Sequence, residues 1–288
     1  MGYVDLHVHT TASDGAMCPS EMVRYAKAKG LQAIAITDHD TIGGLDEALS
    51  EGERIGIEVI PGIEISAEHS PGSMHLLGYF FDRHHPMLNE RLSYLQKARA
   101  ERNPKIVEKL NDLGIRVTYD EVVRASGGGH VGRPHFAQVL LEKGYVKSFQ
   151  EAFDRFLKKG ARAYVDKVRF APKEALYFIN EAKGVAVLAH PNTLGVKGYA
   201  ELENLILGLV DHGLRGLEVN YPEHSALETA QYKALAERFG LVITGGTDYH
   251  GLEGNELNIG VGRGEMRIPY FLVENLKATL GQPLHSRR

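Results

Sequence analysis

Two imidazoles stand two residues apart in Asp5-Leu6-His7-Val8-His9-Thr10, inside a run of β-forming residues. Side chains along a strand alternate between faces, so His7 and His9 point the same way and can grip one ion. Other side chains able to ligate a metal stand at the carboxyl ends of later apolar runs: Asp14, His39, Glu64, His75, His190, Asp248 and His250. Each alone has an ordinary reading, a solvated loop histidine for His39 or a salt-bridge partner for Glu64, and Asp14 is individually the weakest. Nine such placements arising independently would be a large coincidence, and imidazole with carboxylate is the ligand set of Zn²⁺, Mn²⁺ or Fe. One ion takes about three or four protein ligands when a position stays open, so the set suits two or three ions. Ions paired about 3.5–4 Å apart activate water and stabilise the leaving oxygen in displacement at phosphorus.

The elements that must position these side chains alternate. After the first strand, Pro19 opens a helix that Gly30 stops. Leu31 to Thr37 is a near-continuous apolar run, as expected of a strand buried on both faces of a parallel sheet, and it leads into Asp38-His39-Asp40. A helix over Gly44 to Gly56 follows, then strands over Glu58 to Ser66 and Met74 to Phe80. The rhythm returns with Gly184 to His190, a helix to Gly213, the strand Leu217 to Tyr221, the helix Ala226 to Gly240 and the strand beginning at Leu241. Phe271 to Leu280 reads as a terminal helix and His285 to Arg288 as a frayed tail. In a parallel barrel the carboxyl ends of the strands gather on one face, which is where barrel active sites lie.

Between these halves the segment from Lys97 to Asp166 has no strong β-run and carries 14 Lys and Arg against 9 Asp and Glu, a net +5 in a chain of net −4. It is a basic, mostly helical insertion on an acidic body. Within it, Gly127 to Gly132 followed by Arg133 and His135 reads either as a flexible loop or as a phosphate clamp, since a guanidinium pairs phosphate through two parallel hydrogen bonds. The clamp is preferred, and the other Lys and Arg of the insertion read as solvated helix faces. Asn220, Tyr221 and His224 follow a strand and are expected to face the site, with His224 able to protonate a leaving oxygen. Asp5 shares the face of His7 and His9 and is expected to orient one of them without touching metal.

The 288 residues fit one α/β barrel, and 43% hydrophobic content fills a sizeable core. No global basicity advertises a nucleic-acid or membrane partner. The single cysteine, Cys18, excludes an intramolecular disulfide. No run of 18 apolar residues and no leader-like opening occur, so a soluble cytoplasmic protein is expected.

His7-x-His9, Thr37-Asp38-His39-Asp40, Pro61-Gly62-Ile63-Glu64, His75, Ala189-His190-Pro191 and Asp248-x-His250 together resemble the PHP (polymerase and histidinol phosphatase) family. The resemblance covers residues 1 to about 90 and 184 to 250 and is nearest the standalone nucleotide phosphoesterases. It implies a distorted (β/α)7 barrel with a small, mostly helical inserted cap: barrel over 1–98, cap over 99–166, barrel again over 167–288. It further implies one metal on His7, His9, Glu64 and Asp248, a second on Glu64, His75 and His190, and a third on Asp14, His39 and His250. Asp248 and His224 are the catalytic candidates; Arg133, His135, Asn220, Tyr221 and His224 are those for substrate binding. The implied activity is phosphomonoester hydrolysis of a small nucleotide, with 3′,5′-nucleoside bisphosphate as substrate and Mn²⁺ as the expected ion. A 5′-to-3′ exoribonuclease is the alternative, then a histidinol-phosphate phosphatase, with a non-catalytic partner domain last. Beyond the small nucleotide, a short RNA or DNA strand is the alternative partner, and neither a membrane nor an obligate protein partner is expected.

Overall fold

The computed structural model describes residues 2–127, 130–251 and 256–282. Glycines 128 and 129 of the glycine run and the 285–288 tail lie outside the described residues. The first half contains β1 (Tyr3–Val8), α1 (Pro19–Ala28), β2 (Ala33–Ile36), α2 (Leu45–Ile55), β3 (Glu58–Ala67), β4 (Met74–Tyr79) and α3 (Pro86–Asp112). There follow α4 (Tyr119–Ala125), α5 (Arg133–Glu142), α6 (Phe149–Ala152) and α7 (Pro172–Glu181). The second half holds β5 (Val185–Leu188), α8 (Tyr199–Asp211), β6 (Gly216–Asn220), α9 (Ala226–Phe239), β7 (Val242–Gly245), β8 (Ile268–Pro269) and α10 (Phe271–Ala278).

The strands form one sheet in the order β7-β6-β5-β4-β3-β2-β1-β8. It nearly closes on itself, because Val8 pairs with Tyr249 and the His9 N–H donates to the Tyr249 carbonyl at 2.9 Å. Local chemistry explains the elements. Proline stands in the first turn of α1, and its stripe Met22, Val23 and Ala26 is buried against the barrel. All four residues of β2 are buried, as a strand covered on both faces requires. Gly56, at φ +74°, ends α2 in the left-handed cap conformation that a side chain disfavours.

Two features depart from the sequence reading. β4 runs antiparallel to both β3 and β5. His75 therefore reaches the barrel mouth from the amino end of its strand, because a short connection out of β3 can only return the chain alongside it. β8 adds a short antiparallel partner on β1 that no apolar run announced.

The cap has its own core, in which Ile106, Leu110, Phe136, Leu140 and Phe156 are buried together. α3 is continuous from barrel to cap, with Pro104 inside it. Among the described residues no helix is long and apolar enough to cross a membrane.

Candidate metal centre

All nine histidines and acids singled out by type and spacing meet at the mouth of the barrel. His7 stands on β1, His9 just past it, Asp14 in the following loop, His39 after β2, Glu64 within β3 and His75 early in β4. His190 follows β5, and Asp248 and His250 follow β7. Gly246 lets the loop after β7 close in: a Cβ there would lie 2.2 Å from the Cβ of His7. Backbone strain collects at the same place, with Asp40, His190 and Asp248 at φ +55°, +21° and +53°.

Glu64 is the hub, and it is fully buried. Its Oε2 faces His39 Nδ1 at 2.7 Å, His9 Nε2 at 3.3 Å and His7 Nε2 at 3.4 Å. Its Oε1 faces His75 Nδ1 at 2.8 Å and His190 Nε2 at 3.0 Å. Asp248 Oδ1 lies 3.0 Å from His9 Nε2 and 3.5 Å from His7 Nε2. Asp14 Oδ1 lies 3.4 Å from His250 Nε2 and 3.9 Å from His9 Nδ1.

Apart from the hydrogen bond between His190 Nε2 and Glu64 Oε1, these close approaches leave most of the atoms without a hydrogen-bond partner. His7 Nε2, both ring nitrogens of His9, His39 Nδ1, His75 Nδ1, Asp14 Oδ1, Glu64 Oε2 and Asp248 Oδ1 are all buried without a hydrogen-bond partner. So many unsatisfied buried atoms in one place are costly unless something else satisfies them. Two ligands each about 2.1 Å from one ion sit about 3.0–3.4 Å apart in octahedral or tetrahedral arrangements, and the observed separations bracket that range. Three groups have all their donor atoms within 4.8 Å of one another: His7, His9, Glu64 and Asp248; His9, Asp14, His39 and His250; His39, Glu64 and His75. The residues fit divalent cations. The grouping is more shared than the resemblance implied, since His9 also joins Asp14, His39 and His250, and His39 also faces Glu64 and His75.

The electrostatics agree. Burial opposes charge on Glu64, yet the surrounding imidazoles of His39, His75 and His7 hold its carboxyl well below the usual range. Burial and then the neighbouring His250 and His39 lower His9 to about 3, and burial lowers His75 to about 4 despite Glu64. His250 goes the other way: burial disfavours its charge, but Asp14 and Asp248 push it up to about 10. An ionised carboxylate at Glu64 and unprotonated imidazoles at His9 and His75 are the forms of these side chains that ligate a cation.

The carboxylate that orients the His7 ring is one the sequence reading assigned no role. Glu218 on β6 is fully buried and accepts from His7 Nδ1 at 3.1 Å through Oε1 and from the His190 backbone N–H at 2.8 Å through Oε2. A carboxylate only accepts, so the His7 proton sits on Nδ1 and leaves Nε2 for a cation. An acidic residue in the apolar run Leu217-Glu218-Val219 was the available signal. Asp5 takes a different part: it accepts from the backbone N–H groups of His7, Thr247 and Gly260 and touches no imidazole ring.

Glu218→Gln keeps shape but has one acceptor oxygen where two are used. Metal affinity is expected to fall about 10–100-fold with little change in melting temperature. Metal titration measures this, and nitrogen NMR of the His7 ring reads its tautomer. Unchanged affinity and tautomer would remove the orienting role.

The residues expected to hold substrate divide. The Tyr221 hydroxyl donates to Asp248 Oδ2 at 3.1 Å, and its ring lies 5.3 Å from that of His190. His224 is one ring further out, 5.1 Å beyond Tyr221, with Nδ1 on the Val219 carbonyl. It lines a neighbouring cavity with Asn220 and Arg263, so neither Asn220 nor His224 faces the metal cluster directly. His224 is placed by the turn after β6, where its N–H donates to the Tyr221 carbonyl at 3.1 Å, and Asn220 ends β6 beyond an irregularity in its pairing with β7. His135 also turns away, because its Nδ1 accepts from the Gly132 N–H at the start of α5.

Arg133 does reach the site. A cleft of about 140 Å³ between barrel mouth and cap is lined by Asp14, His39 and His75 on one side and Arg99, Arg102, Arg133 and Lys167 on the other. The reading of the remaining cap cations as solvated helix faces thus fails for Arg99 and Arg102, whose face of α3 turns to the barrel. Arg133 is braced by the Leu157 carbonyl at 3.1 Å and by the rings of Phe153 and Tyr164. Burial, then Arg99 and Arg133, brings Arg102 down to about 9. Burial likewise brings Lys167 to about 7, with Arg99 and Arg133 adding to it against the pull of Asp40. Cations crowded together out of water are stabilised by an anionic ligand.

Comparison with known proteins gives a consistent result. The PHP domain family matches residues 5–239. The chain is 35% identical over 246 residues to a 5′-3′ exoribonuclease of Haemophilus influenzae, covering 85% of this chain and 89% of that one. It is 33% identical over 251 residues to a 3′,5′-nucleoside bisphosphate phosphatase of Chromobacterium violaceum, covering 87% and 88%. A solved amidohydrolase from Chromobacterium violaceum with bound sulfate superposes with a TM-score of 0.86 at 31% identity, covering 96% of each chain.

Proposed function

The chain belongs to the PHP domain family, and from that premise we propose that it is a metal-dependent phosphomonoesterase removing the 3′-phosphate of a nucleoside 3′,5′-bisphosphate. The observation that carries the reading is the cleft in which four cationic side chains face the metal cluster across about 140 Å³. One phosphate reacts at the metals while a second, unreacting one is held by Arg133, Arg99, Arg102 and Lys167. Among the described residues only Arg99 of the four is paired with an acid, Asp40, so a substrate with a single phosphate leaves the excess positive charge of the wall uncompensated.

His7, His9, Glu64 and Asp248 would hold one ion, Glu64, His75 and His190 a second, and Asp14, His39 and His250 a third, with Mn²⁺ the ion of choice for imidazole and carboxylate without thiolate. Bound there, divalent ions supply an activated water and neutralise the leaving oxygen. The chain's own residues do the rest. Glu218 fixes the His7 tautomer and the His190 backbone, Tyr221 orients Asp248 through its hydroxyl, and Asp248 accepts the proton of the attacking water. The cation wall aligns the ribose so that the 3′-oxygen departs opposite the attack. The products are nucleoside 5′-monophosphate and inorganic phosphate.

Arg133→Ala tests the reading. Losing one charge-assisted partner costs about 1.5–3 kcal/mol, and three neighbouring cations compensate in part, so kcat/KM on a 3′,5′-bisphosphate is expected to fall about tenfold. On a nucleoside 3′-monophosphate it should barely change, and metal content should stay constant. Equal losses on both substrates would place Arg133 on the reacting phosphate or in the fold instead. The Haemophilus influenzae relative named as a 5′-3′ exoribonuclease makes short RNA the comparison substrate, cleaved at the same metals if the alternative holds.

A further inference from the structure

A second cavity adjoins the wall that holds the unreacting phosphate. Arg99 lines both the cation cleft and this larger cavity of about 460 Å³ on the cap. The linings also include consecutive residues, Gly132 in the first and Val131 in the second. From the metal cluster outward the order is therefore metal-ligating side chains, cation wall, then the cap groove.

The groove has the composition of an anion site. Its lining includes Lys97, Arg99, Asn103, Tyr119 and His130, and no carboxylate. Among the described residues Lys97 is exposed and pairs with no acid, while Arg99 is held in place by Asp40 at 2.5 Å. Tyr119, half-buried, offers an aromatic face. A free ammonium, a fixed guanidinium and an aromatic ring side by side suit a further phosphate and a planar group attached to it.

Resting on the phosphatase reading above, we propose that the groove is a subsite for whatever the 5′-phosphate carries. The chain then accepts nucleoside 3′-phosphates whose 5′ end bears a diphosphate or a diphosphate-linked group. The chemistry is unchanged: water adds to the 3′-phosphorus, the bond from phosphorus to O3′ breaks, O3′ leaves with a proton, and the 5′ extension stays intact.

The test compares adenosine 3′,5′-bisphosphate with adenosine 3′-phosphate 5′-diphosphate on the Mn²⁺-loaded full chain, wild type and Lys97→Glu. Lys97 is exposed, so the variant is expected to fold, and its melting temperature is checked. Wild type should hydrolyse both with comparable kcat/KM, releasing the 3′-phosphate alone. Lys97→Glu should lose about tenfold on the 5′-diphosphate, as expected for exchanging a charge-assisted contact for a repulsion, and less than about twofold on the bisphosphate. Rejection of the 5′-diphosphate by wild type while the bisphosphate is hydrolysed overturns the subsite. So does a Lys97→Glu loss that is equal on both substrates or absent from both. If neither compound is hydrolysed, the phosphatase reading itself falls, and the subsite with it.

Discussion

Glu64→Ala is expected to abolish turnover more completely than any other single change in the chain. Its two oxygens face five imidazoles, with Oε2 near His7, His9 and His39 and Oε1 near His75 and His190. Removing it takes a ligand from two proposed ions at once and leaves those imidazoles facing one another. Each ion contributes several kcal/mol of transition-state stabilisation, so kcat is expected to drop by about three powers of ten or more. Bound metal per chain, measured by elemental analysis, should fall in parallel. The conservative Glu64→Gln retains one good acceptor and should fall between the two. Near-wild-type turnover in Glu64→Ala with full metal content would show that no bridge exists there.

Stripping metal is the second large effect. Prolonged treatment with a strong chelator is expected to eliminate phosphate release, and added Mn²⁺ to restore it. Stability should move with activity, because His7, His9, Asp14, Glu64 and Asp248 carry buried atoms that no protein group satisfies. An ion present at about a thousand times its dissociation constant stabilises the folded state by about 4 kcal/mol. In a chain of this size that corresponds to a shift of roughly ten degrees in melting temperature. Calorimetry of metal-loaded and stripped protein measures it. Equal melting temperatures and equal activity in the two forms would end the metal hypothesis, whereas a shift without activity would leave a structural ion only.

The ligand inventory was legible in the sequence because it depends on local rules. A period of two puts His7 and His9 on one face of β1, and chemistry-bearing side chains next to apolar runs lie at the mouth of a barrel wherever those runs are strands. The helix stops at Gly30 and Gly56 were legible for the same reason, since a positive φ is a property of one residue. What the sequence could not state is direction in space. His75 reaches the site from the amino end of an antiparallel strand, and His224 falls behind Tyr221 at the turn after β6.

The part played by the fully buried Glu218, and by Arg99, Arg102 and Lys167 beside the Arg133 that the sequence had singled out, was decided by tertiary structure. Whether an acid in a strand pairs with an imidazole depends on which strand lies beside it: Glu218 meets His7 across 211 positions of sequence. Whether an arginine on a charged helix is solvated or functional depends on what its face of the helix packs against. Arg99 and Arg102 share α3 with the exposed Lys97, and only the docking of the cap on the barrel makes the two arginines the wall of a cleft that Lys97 does not line. Residue type and spacing therefore carried the chemistry, while the long-range packing of β6 and α3 decided which side chains serve it.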